Sequence, residues 1–316
     1  MSELLPIWLS HAMKMLRSIT GFVTIHPSGG DPRTLAFSRY DHVTRVASLA
    51  LSVGDDRRLS RSEVLLFSWL HDINRWPFAH NAERGRFDQA RDIERFIAGR
   101  LPAKTARQAV GIASKHVPDL GEAARVVLLA DIATGFVEDT LFTITGLNLS
   151  PSELPSETLD LLRLPMGDVA FLEELQYLYT LLNRERDVPG YTRSFNSLVF
   201  RSSRKFLSDH NFLHVDPLES ERFWHIRAML RKDYLQQHIF PLNNEKVCHG
   251  EMLRKVLVDP VLGRLSASAE ATLAQWTEVD LVAYVLRERL TTEETLSALT
   301  PALDYVRTFE PHRSFM

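Results

Sequence analysis

Between Glu122 and Phe136 the chain reads as a helix that is apolar on nearly every face, yet the run Val126-Val-Leu-Leu-Ala-Asp131-Ile-Ala133 carries a carboxylate at its centre. A helix that is apolar all round belongs in the interior. A carboxylate carried there must be paired, hydrogen-bonded or bound to a cation, because burying it bare is too costly for a fold to offset. A second apolar run, Val64 to Leu70, leads straight into His71-Asp72 and makes the same demand. The chain must therefore fold so that polar partners from distant segments meet inside it.

Helical periodicity dominates the remainder, and the few β-branched runs are short and lack the paired turn signals of hairpins. The expected fold is all-α. After the loop Pro27-Ser-Gly-Gly-Asp-Pro32, a helix carries His42, Val46, Ala47, Ala50 and Leu51 on one face and ends near Gly54. Ser60-Arg-Ser-Glu63 has the form of a capping box for the helix that delivers His71-Asp72. Asn74-Arg-Trp-Pro77 then breaks the pattern, since proline disfavours α geometry in the residue before it. Further helices are expected at Phe87–Ala98, Ala103–His116 and Glu122–Phe136, followed by a Pro- and Ser-rich connection from Leu149 to Pro165. Helical patterns return at Phe171–Leu182, Phe223–His238, Glu251–Leu257, Glu278–Leu290 and Glu293–Leu299. Residues 1–150 read as a metal-binding catalytic core and residues 151–316 as a helical extension packed on it within one continuous domain.

Composition narrows the function classes. A net charge of -3 gives no general surface for polyanions, so nucleic acid is not an expected partner and any phosphate recognition must be local. Cys248 is the one cysteine, which excludes an intrachain disulfide or a thiolate zinc site and favours a reducing compartment. Pro6, His11, Lys14 and Arg17 interrupt the opening segment, which is not read as a signal peptide. No stretch approaches the roughly 20 apolar residues of a membrane span. The expected location is the cytoplasm, with no membrane partner.

His42, His71, Asp72 and Asp131 together offer two nitrogen and two oxygen ligands. Such a set suits one divalent ion among Mn, Fe, Co, Ni and Zn, with Mg admitted where availability decides. Adjacent helical residues point about 100° apart, so His71 and Asp72 share an ion only where the helix ends or bends. A cation so held polarises a phosphoryl oxygen and lowers the pKa of bound water.

In this arrangement His42, His71-Asp72 and Asp131 resemble the H…HD…D signature of the HD superfamily of metal-dependent phosphohydrolases. Within it, His71-Asp-Ile-Asn-Arg-Trp-Pro-Phe-Ala-His80-Asn-Ala-Glu83 is similar, without a gap, to the HD-x-G-H-x-P-F-x-H-x-x-[ED] segment of deoxynucleoside triphosphate triphosphohydrolases. Arg39-Tyr-Asp-His42 resembles their R-[FY]-x-H motif, and Leu129-Ala-Asp131-Ile-Ala133 with Glu138-Asp139 resembles their A-D-x-I-A…E-D stretch. Tyr234–His238 and Trp276–Leu281 are similar to their helical tail. The resemblance implies an HD-domain helical bundle with additional C-terminal helices, a phosphorylated small-molecule substrate, most simply a nucleotide, and a homo-oligomer.

Two positions depart from the pattern. Asn74 replaces a glycine, and Arg75 stands where the family has a histidine implicated in catalysis. A permanently cationic Arg75 cannot shuttle protons near pH 7 but can clamp a phosphate. Proton transfer then falls to His80, Glu83 or His116, although His80 could equally hydrogen-bond its own loop and His116 could be satisfied by its helix end. Arg39, by the resemblance, and Lys115, by position, are candidate phosphate contacts. The Arg75 departure also leaves room for a nucleoside monophosphate or specialised metabolite phosphatase, and for a non-catalytic nucleotide sensor. An HD-type di-iron oxygenase is a further alternative, motivated by His80 and His116. His210 and His214 read as a surface pair, and Phe195, Phe200, Phe206, Phe212 and Trp224 as core or oligomer contacts.

Overall fold

The computed structural model describes residues 8–9, 12, 20–25, 33–78, 87–115, 120–147, 149–150, 153–154, 156–181, 188–209, 225, 228, 254–265, 269–292 and 295. The described residues form an all-α fold preceded by one small antiparallel sheet. Strand β1 (Thr20–Ile25) pairs with β2 (Arg33–Ser38), with Thr20 opposite Ser38 and Ile25 opposite Arg33. The all-α class holds, with this one pair of short strands beside the helices. The strands flank a seven-residue connection rather than a two-residue turn, so the tight-turn signature is absent although the β-branched residues pair.

Strand β2 runs directly into α1 (Arg39–Asp56), whose start is set by Ser38: its Oγ accepts from the Asp41 N–H at 3.2 Å and donates to Asp41 Oδ2 at 2.9 Å. Helix α2 (Arg61–Leu70) begins likewise at Ser60, which accepts from the Glu63 N–H. The two helices pack closely where Gly54 meets Val64, since a Cβ at Gly54 would stand 3.2 Å from Val64 Cγ2. Helices α3 (Gln89–Ile97) and α4 (Ala103–Ser114) pack on each other, and α5 (Glu122–Leu147) packs against α1, α2, α4 and the later helices.

Helix α5 runs eleven residues past the expected end at Phe136. Its second half is rich in threonine, a weak helix former, but the hydroxyls of Thr140, Thr143 and Thr145 donate to the carbonyls of Phe136, Asp139 and Leu141 and are satisfied inside the helix. The Leu149–Pro165 connection contains a short helix, α6 (Ser156–Leu162), before α7 (Val169–Thr180) and α8 (Val188–Asp209). Helix α8 was not among the expected helices. Serines and arginines dilute its pattern, yet Tyr191, Phe195, Leu198, Val199 and Phe206 recur at helical spacing and are buried. A five-residue π-helical turn (Arg254–Val258), α9 (Asp259–Leu265), α10 (Ala269–Leu273) and α11 (Glu278–Arg287) complete the described chain.

The apolar interior divides in two. The larger cluster joins α1–α5 with α6, α7 and α8, so helices on both sides of residue 150 share it. The smaller one gathers Leu257, Val258, Val261, Leu273, Leu281 and Val285 around Trp76 and Phe78. Phe78 is fully buried at φ 66° and its N–H donates to Glu278 Oε1 at 3.0 Å. The segment following His71-Asp72 is thereby anchored in the C-terminal helices. Among the described residues no helix is long and apolar enough to cross a membrane.

Candidate metal centre

His42 lies in the first turn of α1, where the Ser38 cap fixes its approach. On the other side of the site α2 stops at Leu70, with His71 as its C-cap and Asp72 in the turn beyond. The divergence that a continuous helix would force on adjacent residues is thus avoided. Asn74, at φ 65°, turns the chain, and asparagine is among the few non-glycine residues that adopt this left-handed conformation readily. Its place at a family glycine has a plain backbone reason.

His42, His71 and Asp72 are buried, and each offers a ligand atom within 4.8 Å of the other two. Asp131 on α5 joins them, its Oδ1 lying 3.3 Å from His42 Nε2 and 3.7 Å from His71 Nε2. All four residues singled out from the sequence as metal ligands meet here.

The two imidazoles are held differently. His71 Nδ1 lies 2.6 Å from the Ser68 carbonyl oxygen, which can only accept, so the proton sits on Nδ1 and Nε2 carries a lone pair. That Nε2 is buried without a hydrogen-bond partner. A lone pair facing a carboxylate oxygen 3.7 Å away is repulsive, and a cation between the two would relieve it. The donor set therefore fits a divalent ion. Burial lowers the His71 pKa below its ordinary value, outweighing the neighbouring Asp131 and Asp72, so the ring is neutral and ready to ligate.

His42 has carboxylates at both nitrogens: Nδ1 is 2.9 Å from Glu138 Oε2, and Nε2 faces Asp131. Burial pulls its pKa down, but Glu138 and Asp131 outweigh burial and raise it to about 9. Ligation through Nε2 requires that proton to leave. Burial pushes Glu138 upward, but the Arg45 guanidinium and His42 overcome it and hold the carboxyl down at about 2. Asp131 is likewise held well below the carboxylate range, His42, His71 and Lys115 overriding its burial.

Asp72 Oδ2 accepts from Arg39 Nε at 2.7 Å and also from its Nη2. Its Oδ1 accepts from Gln89 Nε2 at 3.2 Å and lies 3.4 Å from Arg75 Nη1. These cations keep the Asp72 carboxyl ionised despite burial. Gln89 also donates to the His71 carbonyl, tying α3 to the turn. Arg75, expected as a phosphate clamp, is buried with its guanidinium 5.0 Å from the Phe87 ring centroid. Arg39 and Arg75 both contact the Asp72 carboxylate. Lys115 caps α4 at φ 56°, is nearly half exposed, and puts Nζ 4.0 Å from Asp131 Oδ2. His80, Glu83 and His116 lie outside the described residues, as do His210, His214, Phe212 and Trp224.

Comparison with protein-family models, with curated proteins and with solved structures found no match to this chain.

Glu138, Arg45, Asn196, Gln89 and the Ser68 carbonyl also surround the site, beyond the residues expected from the sequence. Two of these had a usable signal. Glu138 follows Asp131 by two helical turns and so shares its face of α5, and Arg45 follows His42 by one turn. Gln89, Asn196 and the Ser68 carbonyl carry no such mark.

Proposed function

We propose that this chain is a metal-dependent phosphohydrolase acting on a nucleotide, most like a deoxynucleoside triphosphate triphosphohydrolase. The observation that carries the reading is the buried, unpartnered Nε2 of His71, turned toward Asp131 beside His42 and Asp72. When bound there, a divalent cation supplies Lewis-acid polarisation of a phosphoryl oxygen and a hydroxide nucleophile near neutral pH.

The chain's own residues divide the rest of the work. Ser68 sets the tautomer that frees His71 Nε2 for ligation. Arg39 holds Asp72 through Oδ2, and Gln89 and Arg75 meet its Oδ1, so the carboxylate is fixed in place beside His42 and His71. Lys115, beside Asp131, meets the charge of a substrate phosphate. Arg75 steadies Asp72 from the interior and moves no proton. The proton for the leaving oxygen is assigned to His80, Glu83 or His116 on the sequence pattern alone. The triphosphate substrate rests on the resemblance of residues 71–83. A nucleoside monophosphate or metabolite phosphate is the second reading, favoured by Arg75 lying against Asp72 where the family has a histidine.

Protein loaded in turn with Mn, Fe, Co, Ni, Zn or Mg and given nucleoside mono-, di- and triphosphates should release phosphate, pyrophosphate or tripolyphosphate. The Asp131→Ala variant should release none. Silence from the wild type with every metal and substrate would sink the proposal, and tight nucleotide binding without turnover would make the chain a sensor. Metal analysis should find one ion per chain, whereas two would favour a di-iron oxygenase.

A further inference from the structure

His42 is gripped at both ring nitrogens by the same helix. Asp131 stands at Nε2 and, two turns along α5, Glu138 stands 2.9 Å from Nδ1. Glu138 is itself held from behind. Its Oε1 accepts from Arg45 Nε, and Arg45 Nη1 donates to Asn196 Oδ1 on α8 at 2.5 Å. The Arg45 guanidinium lies 5.7 Å from the ring centroid of Phe195, the residue before Asn196. His42, Arg45 and Glu138 are all buried.

We propose that Glu138, braced by Arg45 and Asn196, is the positioning residue that aims the Nε2 of His42 at the cation; this rests on the metal-binding reading above. A buried Arg–Glu pair used only for packing would need nothing beyond its two members, and apolar side chains of similar volume could replace it. Here the second oxygen of Glu138 is committed to the ring of a metal-ligand histidine. Rotating that ring would break its hydrogen bond and leave a buried carboxylate oxygen unsatisfied. Because α5 supplies both Asp131 and Glu138, the spacing of two helical turns sets the distance the imidazole must bridge. Asn196 extends the brace to α8, so three helices fix one ring.

The test uses the full chain, cation-free and loaded with Co(II), whose visible bands report ligand geometry. A glutamine at 138 can accept from His42 or from Arg45 but not from both, because its second polar atom is a donor. Glu138→Gln should melt earlier than the wild type when cation-free, because buried Arg45 loses its counter-charge, and, above pH 9 where no His42 proton competes, bind Co(II) about 10- to 100-fold more weakly by chelator competition with shifted bands. Glu138→Asp should recover part of the affinity. Asn196→Ala, which leaves Glu138 in place, should weaken Co(II) about three- to tenfold, the worth of one hydrogen bond. Unchanged affinity and bands in Glu138→Gln would overturn the positioning role while leaving the metal site standing. If Glu138→Gln does not fold, unchanged affinity and bands in Asn196→Ala overturn it instead. A wild type that takes up no Co(II) removes the metal site and this role together.

Discussion

The two histidines of the site face the same carboxylate from helices that hold them in opposite ways. His42, on α1, has a glutamate at Nδ1 and titrates at about 9, whereas His71, at the end of α2, has a backbone carbonyl there and is pushed below its ordinary value by burial. Both rings are buried, so burial is not what separates them. The difference is the charge of the group behind each ring. A carboxylate favours the imidazolium, while a neutral carbonyl fixes the tautomer and leaves burial to decide the charge. One ring arrives ready to ligate and the other must first lose a proton.

The largest effect is expected from removing the group the two histidines share. On the proposed function, Asp131→Ala should abolish turnover, by about a thousandfold or more, because the carboxylate facing both rings is gone. Residual cation binding through His42, His71 and Asp72 should be visible by chelator competition. Full activity in this variant would mean that the two rings do not serve one ion.

Breaking the His42 side alone tests what the carboxylate behind the ring does. Glu138→Ala leaves Arg45 buried without its counter-charge, a change that typically costs about 3–5 kcal/mol. Urea unfolding of the cation-free protein measures it. A loss well under 1 kcal/mol would show that the Glu138–Arg45 pair contributes little and that α1 is held by its apolar contacts.

Proton linkage sharpens the contrast further. A shift of His42 from 6.5 to about 9 corresponds to about 3 kcal/mol of stability, present below pH 6.5 and lost as pH rises through 9. His71 works in the opposite sense, its contribution being present above 6.5 and lost as pH falls through its depressed folded value. Glu138, lowered from 4.5 to about 2, contributes above 4.5 and is lost as pH falls toward 2. The cation-free protein should therefore lose stability between pH 7 and 9, as read from urea midpoints. Cation affinity should move the other way, rising about tenfold per pH unit from 7 to 9 as the His42 proton is displaced, then levelling. A flat affinity profile over that range would mean that His42 carries no proton to displace.

The smallest effect concerns the His71 side. Asn74→Ala puts a residue that resists the left-handed region at φ 65° and should cost about 1–2 kcal/mol in thermal or urea unfolding. It should leave the His42 titration unchanged, since the strain falls on the turn after His71-Asp72.

Asp131 and the His71-Asp72 pair were legible as candidate ligands because each poses a local problem, a carboxylate in an all-apolar helix and a His-Asp pair at the end of another, whereas His42 was marked by the resemblance. The helices bearing them were legible from periodicity and caps, to within a few residues at most ends. The second half of α5 was not, because threonine reads as a poor helix former until its hydroxyls are seen to satisfy the preceding turn. Nor was α8, whose stripe from Tyr191 to Phe206 is spaced by serines and arginines. The small antiparallel sheet escaped because its strands lie seven residues apart, and the Pro27–Pro32 segment between them reads as a loop rather than as the two-residue turn of a tight hairpin.

From sequence alone, then, came the helical class and the residues able to bind a cation, because burial and periodicity are written in short windows of the chain. Which nitrogen of each histidine is free, and which arginine meets Asp72, were decided by tertiary structure. His42 and Glu138 are 96 residues apart and Arg45 and Asn196 are 151 apart, so only the packing of α1 against α5 and α8 brings them within a hydrogen bond. Arg39, by the resemblance, and Arg75, by its permanent charge at the position that departs from the family pattern, read as groups for a substrate phosphate. Their guanidiniums reach Asp72, because a buried carboxylate draws the nearest cations.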